Sequence, residues 1–197
     1  EGLSVSNDTW YDMQGNSVVP SEELRKQNEE ILKATDVFII TPGLSEIWYN
    51  KVTGEPAWRK LPGNTRSGGD FDYHIATCEE NKRNVERMYQ LIRKHNGPDA
   101  TIIFTVSPVP FKATWRKIGS VPANVVSKAS LRVAVDEVYR EHCGTDMKLF
   151  YWPSYELVKE WCPGSGFESF QSDNRHPPRD TVGKIMELFT RYFVVNE

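Results

Sequence analysis

An alternation constrains this chain more than anything else in it. Three short apolar runs, "DVFIIT" (36–41), "TIIFTV" (101–106) and "KLFYW" (148–152), are rich in β-branched and aromatic residues. Stretches with apolar residues at helical spacing separate them. Strands that read as continuous apolar runs are buried on both faces, and parallel strands need a long crossover, usually a helix. The helices are legible one by one. "SEELRKQNEEILKA" opens with Ser21 as an expected N-cap, has acids in its first turn, and carries Leu24, Ile31 and Leu32 on one face. "EENKRNVERMYQLIRKHNG" places Val85, Met88, Tyr89 and Ile92 at i, i+3, i+4 and i+7, then stops at Asn96-Gly97-Pro98. "SKASLRVAVDEVYREHCG" aligns Leu131, Ala134, Val135 and Val138, with Ser127 as its expected N-cap. "DTVGKIMELFTRYF" aligns Val182, Ile185, Met186, Phe189 and Phe193, with Asp180 as the expected cap. The pattern predicts an α/β protein with a parallel sheet covered on both faces.

Bulk properties set outer limits. The chain has 197 residues, 39% hydrophobic and 26% charged, which suits one domain over 1–197. A net charge of −3 offers no basic field for nucleic acid or an anionic membrane. No run approaches the ~20 apolar residues of a membrane span. Cys78, Cys143 and Cys162 are widely spaced, which argues against a disulfide framework and favours reduced thiols and a cytoplasmic setting. No His/Asp/Glu/Cys cluster has ligand spacing, so neither a metal nor a cofactor is expected. Glu1 in place of an initiator Met reads as a trimmed start. The polar, Gly-rich segment at about 49–78 is too long for a simple connection and reads as an insertion: a lid, a binding loop or a small hairpin.

Sheets of this kind collect their chemistry at the carboxyl ends of the strands. Here those ends are Thr41-Pro42-Gly43, Ser107-Pro108 and Trp152-Pro153. The segment "FQSDNRHPPRD" (170–180) precedes the last helix, in the loop that would join them. Asp173 and His176 can pair where such a loop turns back at a helix N-terminus. The carboxylate then orients the ring and stabilises imidazolium, while the far nitrogen takes a proton from a hydroxyl. After the first strand, "TPGLSEIW" (41–48) offers Gly43 for close backbone approach or positive φ. Ser45 is a candidate donor to an oxyanion, and Glu46 and Trp48 are candidates to position a polar substrate. The plain alternative is a strand-to-loop turn with Trp48 filling the core. Ser107, without a Gly-flanked elbow, reads as a turn and substrate-binding position rather than a nucleophile. Lys128, one step inside the helix that Ser127 is expected to cap, is placed to bind an anionic group with help from the helix dipole. His95 and His142 read as solvated helix-end residues.

Five blocks in order, "TPGLSEIW", "TVSPVPF", "SKASLR", "YWPSYE" and "SDNRHP", resemble the GSCFA domain family, which is placed among the SGNH (GDSL-like) hydrolase folds. The likeness runs roughly from Val37 to Phe189. It implies a flavodoxin-like three-layer α/β/α fold, with Asp173 and His176 as orienting acid and general base. It also implies that Gly43 and Ser45 occupy the place of a Gly-x-Asn-Asp turn whose Asn helps form the oxyanion hole. Two departures stand out. "GLSE" replaces the Asn-containing turn, and the Gly-Ser-Cys-Phe-Ala block that names the family is absent from the chain. The expectation is therefore that the nucleophile and the first strand lie upstream of Glu1, with an N-terminal segment or a partner completing the sheet. "YDMQGNSVVP" (11–20) then brings Gly15 or Asn16 near the oxyanion. The function implied is an esterase or O-acyltransferase acting on a small-molecule or glycan ester. The alternative is a non-catalytic glycan- or protein-binding relative, and a metal-dependent hydrolase ranks last.

Overall fold

In a computed structural model of the chain, the three apolar runs form one parallel sheet. The structure describes residues 4–6, 9–11, 17–18, 21–54, 56 and 71–194. In chain order these form β1 (Ser4–Ser6), β2 (Thr9–Tyr11), β3 (Ser17–Val18), α1 (Glu22–Lys33), β4 (Val37–Ile40), β5 (Glu46–Asn50) and β6 (Phe71–Ile75). Then come α2 (Cys78–Asn96), β7 (Thr101–Phe104), α3 (Ser120–His142), β8 (Leu149–Tyr151), α4 (Ser154–Glu156), a π-helical turn (Leu157–Trp161), α5 (Cys162–Ser165) and α6 (Arg179–Phe193). They divide into two compact units, Glu1–Thr35 with Glu46–Ala76, and Asp36–Ser45 with Thr77–Glu197.

The second unit holds the sheet, ordered β4-β7-β8, with Ile39 paired to Ile103 and Ile103 to Phe150. Spatial order follows chain order. Successive right-handed crossovers running in one direction put their helices on the same face. That face packs Ile102, Phe104 and Leu149 against Val85 and Ile92 of α2 and Leu131, Val135 and Val138 of α3. Alternation sends Ile103 to the opposite face, where it meets Trp152, Val158 and Ile185 of α6. Phe189 meets the Trp152 ring edge-on at 5.3 Å. The result is the expected three-layer α/β/α arrangement of flavodoxin-like type.

The first unit contains the antiparallel β1-β2-β3 sheet, helix α1 and the antiparallel β5–β6 hairpin. Ser21 caps α1 as expected, its hydroxyl accepting the Leu24 N–H at 3.1 Å. The hairpin forms the two arms of the 49–78 segment. Residues 57–70 between them lie outside the described residues, as do Gly15 and Asn16. No described helix is long and apolar enough to cross a membrane.

Two helix starts differ from the sequence reading, and both differences bear on the site. Helix α3 begins at Ser120 with Gly119 as its cap, one Pro-containing turn and more ahead of the expected start. Pro122 falls in the first turn, where a missing N–H costs nothing. Ser127 is therefore an interior helix residue and not an N-cap, and Lys128 does not sit at a helix N-terminus. Helix α6 begins at Arg179 after Pro178, so Asp180 lies in the first turn and complements the dipole there instead of capping. At α2 a capping box forms, with Thr77 Oγ1 accepting from Glu80 N–H at 3.1 Å and Glu80 Oε2 from Thr77 N–H at 2.8 Å.

Candidate active site at the carboxyl edge of the sheet

Three loops leave the carboxyl ends of β4, β7 and β8, and hydrogen bonds tie them together. Ser107 N–H donates to the Pro42 carbonyl at 3.0 Å, which joins the loops after β7 and β4. A Cβ added at Gly43 would stand 3.4 Å from Ser107 Cβ, an ordinary van der Waals contact, and its φ is not positive, so neither close approach nor a left-handed backbone demands glycine there, contrary to the expectation. The Ser154 hydroxyl, after β8, donates to the Val106 carbonyl at 2.9 Å. Asn124 of α3 accepts the Phe111 N–H at 3.1 Å and anchors the loop after β7. Arg175 Nε donates to the Pro110 carbonyl at 3.2 Å. That bond ties the loop before α6 to the same edge.

The loop before α6 presents the predicted pair. Asp173 Oδ2 lies 2.5 Å from His176 Nδ1. Asp173 Oδ1 accepts the Arg175 and His176 N–H groups at 2.9 and 3.0 Å. Asn174 supplies the turn with φ of 55°, a left-handed conformation that Asn tolerates. Gln171 N–H donates to the His176 carbonyl at 2.8 Å and closes the loop. The His176 backbone N–H, its ring and the Arg175 N–H hold the Asp173 carboxyl well below the usual carboxylate range. An ionised carboxylate only accepts hydrogen bonds, so Nδ1 carries the proton of this bond, and in the neutral ring the lone pair lies on Nε2. Among the described residues Nε2 has no partner. The ring is 54% exposed and the carboxylate 45%.

The turn after β4 is built differently. Ser45 N–H donates to Ser127 Oγ at 2.8 Å, and the Ser45 hydroxyl donates to the Ser127 carbonyl at 3.3 Å. Asn81 Nδ2 reaches Ser45 Oγ at 3.2 Å and Ser130 Oγ at 2.7 Å. Lys128 Nζ donates to the Gly43 carbonyl at 2.8 Å. All five side chains are buried, Lys128 completely. Burial alone lowers the Lys128 pKa to about 8. Both donors of Ser45 are thus used inside the fold.

Glu46 and Trp48 belong to the other unit. They lie half-buried on β5, paired with Ile75 and Tyr73, and the Trp48 and Tyr73 rings are 5.6 Å apart. Sequence reasoning missed Asn81, Ser130 and Arg175. Asn81 stands four residues before Val85, a polar residue in phase with a buried stripe, and that phase was the available signal. A groove of about 710 Å³ beside β8, lined by Phe150, Trp152, Leu157, Leu188 and Phe193 among others, includes none of the predicted site residues.

His142 is not simply solvated. It stacks on Tyr89 at 4.1 Å, and its Nε2 lies 2.9 Å from Glu86 Oε2. Glu86, Glu141 and His142 bring one ligand atom each within 4.8 Å of one another, the one such group among the described residues. Lys82 already holds Glu141 at 2.5 Å, and the group lies toward the end of α3 that leads into β8, away from the carboxyl edge. A family model, described as the GSCFA family, matches residues 3–189. No curated protein and no solved structure matches the chain.

Proposed function

The chain belongs to the GSCFA family, and from that premise we propose that it is an esterase or O-acyltransferase acting on acyl esters of a small molecule or a glycan. One observation carries the reading. Asp173 fixes His176 through Nδ1 and leaves Nε2 open at the carboxyl edge of a parallel sheet. Nε2 takes the proton of a Ser or Cys nucleophile as that group attacks the ester carbonyl. Asp173 stabilises the imidazolium so formed. Imidazolium then protonates the departing alkoxide, leaving an acyl-enzyme. Water or a sugar hydroxyl attacks that intermediate, with His176 again as base.

The nucleophile comes from a segment that adds a strand beside β4, which is the terminal strand of its sheet among the described residues. Ser45 and Ser127 hold the turn together instead. Ser107 and the Gly43 turn line the place where the acyl group sits, with Ser107 Oγ accepting the Val109 N–H at 3.3 Å. The test is His176→Ala in the longest natural form, with turnover of an acetyl ester as readout. Turnover falls by about 10²–10⁴-fold, the usual size of a general acid–base contribution. Unchanged turnover contradicts the reading.

A second reading, a non-catalytic glycan- or protein-binding relative, is favoured by the exposure of both members of the pair, which stand about half open to water. It predicts ligand affinity unmoved by His176→Ala and no covalent labelling by a fluorophosphonate.

A further inference from the structure

Lys128 is the odd member of the buried turn. It stands in phase with Leu131 and Val135 on the stripe that faces the core, and none of its side chain is exposed. Among the described residues its one hydrogen bond runs to the Gly43 carbonyl, and no carboxylate faces it. A buried ammonium with a single carbonyl partner is costly to a fold. Its one evident effect is on the peptide that joins Gly43 to Leu44.

A trans peptide is planar, and its C=O and N–H point in opposite directions. With the Gly43 oxygen turned onto Lys128, the Leu44 N–H points away from the interior of α3. Leu44 is 58% exposed, and its N–H has no acceptor among the described residues. The next N–H along, that of Ser45, is used by Ser127. The turn therefore turns one donor inward and leaves the preceding one free.

We infer that the Leu44 backbone N–H is an oxyanion donor of this edge, and that Lys128 is the positioning residue that aims it by holding the Gly43 carbonyl. The ligand is the negatively charged oxygen of a tetrahedral acyl adduct, or an anion of that shape. A backbone donor fixed in advance stabilises charge without reorganising as the charge develops. The inference rests on the acyl-transfer reading of the edge, but its test does not depend on turnover.

The experiment titrates methylphosphonate, a tetrahedral anion, into the ¹⁵N-labelled full chain and follows the Leu44 amide by NMR. The Leu44 proton should move downfield and saturate, while the Ser45 amide stays put. In Lys128→Met, with the cross-peaks of α3 retained, the Leu44 response should be lost. Should that variant fail to fold, Leu44→Pro deletes the donor and leaves Lys128 in place. It should weaken methylphosphonate binding, read from the His176 ring signals, at least tenfold. A Leu44 amide that does not respond in the wild-type chain overturns the inference, as does a response that survives in Lys128→Met or binding unweakened in Leu44→Pro. Anion binding that moves His176 but not Leu44 overturns this inference alone and leaves the acyl-transfer reading standing.

Discussion

The Ser45–Ser127–Lys128 turn and the Asp173–His176 loop share one edge of one sheet, yet the first is dry and the second wet. In the turn, Ser45, Asn81, Ser127, Lys128 and Ser130 are all buried and bonded to one another or to backbone. In the loop, the carboxylate and ring are bonded to each other on one side and open to water on the other. The contrast separates two uses of polar side chains at a strand end. Those that set shape satisfy all they can inside the protein, because a buried polar atom without a partner is costly. The His176 ring keeps one nitrogen unsatisfied and reachable, which is what a group that moves protons requires.

That contrast can be broken most sharply with pH. In the native state burial holds Lys128 at about 8, against 10.5 for an unperturbed lysine. Below about 8 both native and unfolded states hold the proton, and the native state bears the full penalty of the buried charge. Between about 8 and 10.5 the unfolded chain keeps the proton that the native state has released, so stability rises with pH. Relative to Lys128→Met the rise should be about 3 kcal/mol, read from urea denaturation at both ends of that window. Two proteins whose stabilities change in parallel would show that Lys128 is not buried. A smaller effect comes from Asn81→Ala, which strips the buried Ser45 and Ser130 hydroxyls of a donor and should cost about 1–3 kcal/mol in the same assay. Asp173→Asn, in the wet loop, loses a charge-assisted bond that water screens, and should lower the thermal midpoint less than Asn81→Ala does. Equal losses from the two variants would erase the distinction.

Much of this was legible in the sequence, for reasons tied to particular residues. The runs at 101–106 and 148–152 read as apolar because helices cover both faces of β7 and β8, whereas on β4 Phe38 and Ile40 face the covered side and Val37 and Ile39 are more than half exposed. Val85 and Ile92, and Leu131 through Val138, kept helical phase because each stripe meets that sheet. Asp173 and His176 could be paired on paper because only a local turn separates them. Ser45 and Ser127 could not, since they stand 82 positions apart in the chain and only the packing of α3 on the sheet brings them together. The start of α3 was hidden by Pro122, which reads as a breaker until it is placed in a first turn. His142 was misread for a related reason: Glu86 and Tyr89 reach it from α2, and single-helix spacing does not show a neighbour on another helix.

The central claim is that Asp173 holds His176 with Nε2 free to act as a base. The most direct test is the tautomer of the neutral His176 ring, read from its ¹⁵N shifts in the wild-type chain and in Asp173→Asn. The account predicts a proton on Nδ1 and a bare Nε2 in the wild type, with that preference lost in the variant. A wild-type ring protonated on Nε2, or a tautomer indifferent to Asp173, would contradict it.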